Sequence, residues 1–210
     1  MRRNVVPMLV LSALASAATA TRWERVGPFG GSVPTLASAP SNPSVVYAGN
    51  SAVFRSADGG RHWTRTADVF TSFGSSTAAP SVRALAVSGT DPNRVLAATP
   101  QGLFITTNAG VSWKRAGTIT VDIIAVAWSL DGKRAYASSL NALHRSANSG
   151  DTWETIAAPT LVAMAVDPAS ATTVYAARQT ADPNGLYLAG STTSGAIWTP
   201  FSTVNQPTGT

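Results

Sequence analysis

The chain has no cysteine among its 210 residues, so neither a disulfide nor a thiolate metal site can hold it together. Histidine is nearly as scarce, with only His62 and His144. A zinc site therefore lacks ligands, and no metal or other cofactor is expected. Glutamate is limited to Glu24 and Glu154, which leaves little for chemistry that works through paired carboxylates. Long apolar runs are confined to the first twenty residues, where Arg2 and Arg3 precede a run from Val5 to Ala17 and the small residues Ala18-Thr19-Ala20. That run is interrupted by Pro7 and is short against the roughly 20 residues of a membrane span. It has the form of a signal peptide over residues 1–20, cleaved after Ala20. A secreted or periplasmic protein without a transmembrane span is the expectation.

Charge of one sign is also lacking. Without Arg2 and Arg3 the chain has 13 basic and 10 acidic residues, dispersed along its length. A nucleic-acid surface needs a concentrated basic face, so no nucleic-acid partner is expected.

What the chain does have is a box repeated four times: a hydroxyl residue, then an Asp or Asn-like residue, a glycine and a tryptophan at fixed offsets. The copies are Ser56-Ala-Asp58-Gly-Gly60-Arg-His-Trp63, Thr106-Thr-Asn108-Ala-Gly110-Val-Ser-Trp113, Ser146-Ala-Asn148-Ser-Gly150-Asp-Thr-Trp153 and Ser191-Thr-Thr193-Ser-Gly195-Ala-Ile-Trp198. The tryptophans lie 50, 40 and 45 residues apart, a period that fits one four-stranded propeller blade per repeat. Glycine permits backbone angles that other residues resist. The hydroxyl and Asp or Asn side chains can bond nearby backbone groups. Each box is thus a turn into the outermost strand of a blade.

The remaining strands follow from the same alignment. Innermost strands read Val82-Arg-Ala84-Leu-Ala86-Val87, Ile123-Ile-Ala125-Val-Ala127-Trp128 and Leu161-Val-Ala163-Met-Ala165-Val166, with alanine where strands crowd around an axis and apolar runs that suit a sheet covered on both faces. Turn residues close each one: Ser41-Asn42-Pro43, Asp91-Pro92-Asn93, Leu130-Asp131-Gly132 and Asp167-Pro168. Second strands carry Tyr47, Leu96, Tyr136 and Tyr175. Third strands carry Phe54, Phe104, His144 and Tyr187. Tyr187 lies eleven residues before its box tryptophan where the others lie nine before theirs, so the fourth copy is expected to hold a two-residue insertion.

The boxes resemble the Asp-box, or bacterial neuraminidase repeat, of a broad group of propellers. That group includes sialidases, sortilin-type receptor domains, oligoxyloglucan-releasing glycosidases and photosystem II assembly-factor propellers. The resemblance spans residues 21 to 203, and the opening Trp23-Glu-Arg-Val-Gly27-Pro-Phe-Gly30-Gly31 is similar to the lead-in of non-sialidase members. Only Asp58 keeps the family's acid; Asn108, Asn148 and Thr193 replace it. The resemblance implies an all-β propeller of four-stranded antiparallel blades. The blades fall at about 32–67, 82–117, 123–157 and 161–203, with a tail at 204–210. Residues 21–26, around Trp23, read as an outermost strand without a blade of its own. This makes the ring incomplete and leaves a blade face open to self-association or to a chain that supplies further blades.

Candidate functional residues are few. Both glutamates directly follow a repeat tryptophan, which argues for a solvent-facing place on outer strands, and no Arg-Ile-Pro tripeptide of the sialidase kind occurs. Asp58, Asp91, Asp131, Asp151 and Asp167 belong to turns. Of the other aspartates, Asp122 stands at the start of the third blade's inner strand and is the one candidate catalytic carboxylate. His144 reads as a packed core imidazole, and His62 as an exposed turn residue. Arg55 and Arg145 read as outer decorations. Recognition fits better than catalysis: Phe70 and Phe73 in the Gly/Ser-rich 67–80 loop, Arg83 and Asp122 at inner-strand starts, and Arg178 and Asp182 beside the fourth blade's middle turn all belong to one face of a propeller. The resulting expectation is a non-catalytic binding or assembly scaffold for a protein or surface glycan. The alternative is a glycosidase-related propeller, sialidase-like or xyloglucanase-like, or an inactive fragment of one.

Overall fold

A computed structural model of the chain describes residue 27 and residues 32–69, 81–179 and 186–201. The expected signal peptide at 1–20, the expected lone strand at 21–26, the tail at 204–210 and the candidate residues Phe70, Phe73 and Asp182 lie outside the described residues. Among those described there is no helix, and therefore none long and apolar enough to cross a membrane.

Sixteen strands form four antiparallel sheets of four. The first holds β1 (Thr35–Ala39), β2 (Asn42–Gly49), β3 (Val53–Ser56) and β4 (Thr64–Arg65). The second holds β5 (Ala84–Val87), β6 (Val95–Thr99), β7 (Gly102–Thr106) and β8 (Lys114–Arg115). The third holds β9 (Ile123–Trp128), β10 (Ala135–Ser139), β11 (Ala142–Ser146) and β12 (Glu154–Ala157). The fourth holds β13 (Leu161–Asp167), β14 (Ser170–Gln179), β15 (Leu186–Ser191) and β16 (Thr199–Pro200). Each sheet runs in simple up-and-down order. The first strands β1, β5, β9 and β13 stand side by side in sequence, and among the described residues the four sheets do not close into a ring.

Packing between sheets explains the composition of the middle strands. Every residue of β6, β7 and β10 is buried, as expected for strands covered on both faces. Tyr47 and Tyr136 are wholly buried, and each hydroxyl donates across to the next sheet: Tyr47 to the Pro92 carbonyl at 2.9 Å and Tyr136 to the Ala171 carbonyl at 2.8 Å. Tyr175 holds the same place in the fourth sheet, where no further sheet follows among the described residues. It is 42% exposed and donates instead to Asp167 of its own sheet at 3.1 Å. Beside it Leu188, Ile197 and Phe201 are exposed, and the Phe201 ring lies 5.9 Å from that of Tyr175.

The four boxes close in one way. The Ser56, Thr106, Ser146 and Ser191 hydroxyl oxygens are buried and accept from the N–H of Gly60, Gly110, Gly150 and Gly195 at 2.8–2.9 Å. The side-chain oxygens of Asp58, Asn108, Asn148 and Thr193 accept from the N–H four residues on, at 2.9–3.0 Å. Thr193 thus accepts at the same distance as Asp58. The turn needs two successive left-handed residues, and Ala109, Ser149 and Ser194 adopt φ of 55–61° just before the box glycine. Trp63 and Trp153 donate their indole N–H to the carbonyl of that glycine. Trp113 reaches Thr66 of the preceding sheet instead.

Asp58 differs from the other boxes in charge. The His62 backbone N–H and imidazole, with the Ser56 hydroxyl, hold its carboxyl well below the usual carboxylate range. A carboxylate depressed in the folded state contributes stability above its unfolded value, and that contribution is lost as pH falls through the folded one. Asp58→Asn keeps the turn, as Asn108 and Asn148 do. Thermal melts between about pH 5 and pH 2 are expected to show a smaller acid-induced drop in Tm for the variant than for the wild type. Equal drops would assign the acid sensitivity elsewhere, for instance to Asp131 and Glu154, which are also depressed.

Register corrects one expectation. Phe54, Phe104 and His144 pair with Ala48, Ala97 and Ala137, and the residue of β15 in that place is Ala189, opposite Ala176. Tyr187 lies one pleat further along, opposite Arg178. The fourth sheet has no two-residue insertion there. Residues two apart share a face of a strand, so the aromatic match fell on the right face but one step out of register.

Candidate functional site

The ends of the sheets divide into two faces. The β1–β2 turn and the box turn of each sheet lie together, tied by Gly59 to Ser44, Ala109 to Asn93, Ser149 to Lys133 and Ser194 to Thr172. The β2–β3 turns and the links between sheets lie at the opposite end, tied by Val82 to Asn50, Leu103 to Ile119 and Ala158 to Asn141.

At that second end the structure brings two of the expected residues together. Arg83 stands just before β5, its N–H bonded to the Ala98 carbonyl, and Asp122 just before β9. Because β5 and β9 are neighbours, the Arg83 guanidinium meets the Asp122 carboxylate at 2.9 Å. Their side chains are 42% and 49% exposed, so the pair is a charged feature of the rim and not a buried brace. Arg178 stands one residue before the end of β14 on the same rim and is exposed; its backbone pairs with Leu161 and Tyr187. Where the loop at 70–80 departs, Val69 is buried and Arg65 pairs with Asp68 at 3.6 Å.

Arg115 was not anticipated. Its guanidinium donates to the Gln101 and Ile119 carbonyls at 2.6 and 3.2 Å and lies 5.0 Å over the Phe104 ring. It fixes the link from the second sheet to the third, and so the approach to Asp122. In sequence it is one residue of a two-residue strand, with nothing to mark it.

The other titratable groups take structural places. His144 is buried between Ser139 and Thr155, with its ring nitrogens 3.0 and 2.8 Å from their hydroxyls, and burial lowers its pKa. His62 is exposed on its turn, and Glu154 is exposed on β12. Among the described residues no group of three His, Cys, Asp or Glu side chains gathers as a metal site would.

Arg55 and Arg145 are not outer decorations. They sit opposite Tyr47 and Tyr136, on positions that face the next sheet. Arg145 bonds Glu154 at 2.9 Å and also donates to the Thr193 and Ser194 carbonyls of the fourth box. Arg55 lies against Tyr47, with its Nε buried.

Two grooves are present at other places. One, of about 440 Å³, runs between the third and fourth boxes and is lined by Arg134, Arg145, Thr152, Trp153, Glu154 and Ser194 among others. The second, of about 350 Å³, lies on the open side of the fourth sheet against Tyr175, Ile197 and Phe201.

Solved structures match this architecture. An ancestral GH74 enzyme aligns with a TM-score of 0.63 at 23% identity, over 85% of this chain and 25% of its own. YCF48 from Cyanidioschyzon merolae aligns with a TM-score of 0.59 at 16% identity, over 85% of this chain and 59% of its own. The fold is a β-propeller. YCF48 bound to D1 peptide aligns likewise, with a TM-score of 0.56 at 15% identity, over 82% of this chain and 55% of its own. This propeller chain thus spans about a quarter of the GH74 chain and somewhat more than half of the YCF48 chains. No protein-family model and no curated protein matches it.

Proposed function

We propose that this chain works by binding and not by chemistry: an exported Asp-box propeller that presents the rim around Arg83 and Asp122 to a protein partner, with a surface glycan as the other class of ligand such a rim suits. The observation that carries this reading is the 2.9 Å pair of Arg83 and Asp122, half open to solvent and shared between two blades. A pair of this kind is a docking point, because Arg83 can donate to a ligand and Asp122 accept from one without a large desolvation cost. The same pair occupies the one carboxylate that the sequence offers for catalysis. Likeness in fold to YCF48, solved with D1 peptide, supports a protein partner. Self-association through the open fourth blade belongs to the same reading, since Tyr175, Leu188, Ile197 and Phe201 form an apolar surface there.

Panning a displayed random-peptide library on the exported protein, with aryl glycosides assayed alongside, tests the proposal. Peptides enriched on the wild type are expected to lose about tenfold in affinity on an Arg83→Ala/Asp122→Ala variant that still melts cooperatively, and the glycosides to remain intact. Glycoside turnover that Asp122→Ala abolishes would overturn the binding reading in favour of a glycosidase-related propeller.

A further inference from the structure

We propose that the groove between the third and fourth boxes is a second binding site, which takes the side-chain carboxylate of an acidic peptide. It lies at the opposite end of the sheets from Arg83 and Asp122 and does not depend on their role.

The argument comes from comparing one blade junction with the next. Arg94 and Arg134 hold equivalent places, each two residues before the second-strand position of Leu96 and Tyr136. At the junction of the second and third blades, Arg94 reaches over the following box. It donates to the Ser149 carbonyl at 2.5 Å and pairs with the Asp151 carboxylate at 3.2 Å. This guanidinium is satisfied by a peptide carbonyl and an aspartate of the segment Ser149-Gly150-Asp151-Thr152.

At the next junction both partners have gone. The place of Asp151 in the fourth box is taken by Ala196, exposed and without charge. The carbonyl of Ser194, which corresponds to Ser149, is taken by Arg145 at 3.2 Å. The third-strand place of Arg145 is Ile105 in the preceding blade, where it only packs against Gly150. Arg134 is left with the Ser194 hydroxyl at 3.4 Å and no carboxylate within ion-pair distance among the described residues. Asp131 feels the Arg134 charge but gives its hydrogen bonds to the Ser129 hydroxyl and the Lys133 N–H, and Glu154 is paired with Arg145.

The groove therefore holds two guanidiniums against one carboxylate, with the Thr152 and Trp153 side chains as walls and about 440 Å³ of room. A planar guanidinium with unfilled donors selects a carboxylate, which it can grip with two parallel bonds. An aspartate on an incoming peptide restores at this junction the pair that the chain makes for itself one blade earlier.

The internal precedent names the probe, the capped peptide acetyl-Ser-Gly-Asp-Thr-amide, titrated into the isotope-labelled protein and followed by NMR. Saturable shifts are expected at Arg134 and around the fourth box. Arg134→Ala should weaken binding by about tenfold or more. Ala196→Asp should do the same by supplying the carboxylate from within, and it raises Tm where Arg134→Ala does not. The peptide with Asn in place of Asp should bind at least about tenfold more weakly. Absence of saturable shifts in the wild type, or equal affinity for wild type and Ala196→Asp, overturns the proposal. Sodium acetate that produces the same shifts at the same concentration overturns the peptide part of it, since the groove would then read an isolated carboxylate.

Discussion

Replacing Gly89 by alanine is expected to lower the stability of the protein by about 3 kcal/mol, equivalent to a fall in Tm of roughly 6–12 °C for a chain of this size. Gly89 lies in the first turn of the second blade, against the first turn of the third. A methyl group there would stand 2.0 Å from the Leu130 carbonyl oxygen and 2.4–2.5 Å from the Leu130 carbonyl carbon and Cα. These are backbone atoms and cannot swing aside as a side chain would. The two turns also meet from the other side, where a methyl group on Gly132 would crowd the Thr90 and Ser88 hydroxyls, so relief requires the two blades to part. Gly59→Ala is the control. It also places a methyl group on a turn, at φ of 72°, but with no atom within 4 Å, and Ala109 holds the same place in the second box at φ of 61°. Its cost is limited to left-handed strain of about 1–2 kcal/mol. Chemical denaturation of both variants checks the difference; equal midpoints would mean that the turns of adjacent blades do not interlock.

Ser146→Ala is the second large effect, at about 2–3 kcal/mol. The Ser146 oxygen is buried and accepts from the N–H of Asn148 and of Gly150 while donating to the Asn148 side chain. Alanine leaves the buried Gly150 N–H without a partner and releases the Asn148 side chain that closes the rest of the turn. Ser146→Thr is expected to be nearly silent, because Thr106 makes the same bonds in the second box. The comparison separates loss of the oxygen from a mere change of shape. Equal Tm for the alanine and threonine variants would show that the hydroxyl does not hold the turn.

The boxes were readable in the sequence because the bonds that close each turn, those of the hydroxyl and of the third-position side chain, join residues at most four apart, so their spacing is the structure. The innermost strands were readable for a similar reason: Ile123–Trp128 and the strand that begins at Leu161 announce themselves by apolar runs with alanine at fixed places. What was hidden depends on residues brought together from far along the chain. Arg94 and Asp151 are 57 residues apart, and Arg134 and Ser194 are 60. Arg145 looked like an outward-facing residue until the strand opposite it, and then the next blade, were in place. Arg83 and Asp122 were each named from their position at the start of an inner strand. Their pairing needed the further fact that β5 and β9 are neighbours. The misplacement of Tyr187 has a simpler cause, since a strand repeats its facing every two residues and a single aromatic cannot fix the register.

The Thr193 turn changes what counts as the repeat. Asp, Asn and Thr at the third box position present the same thing to the backbone, one oxygen lone pair at one distance. The turn is thus specified in the currency of acceptors and not of letters, and several spellings are synonymous. A chain written in such synonyms can drift through many substitutions while each turn stays closed. Shape can then persist where spelling does not, and the same architecture is met in solved structures at 11–24% identity.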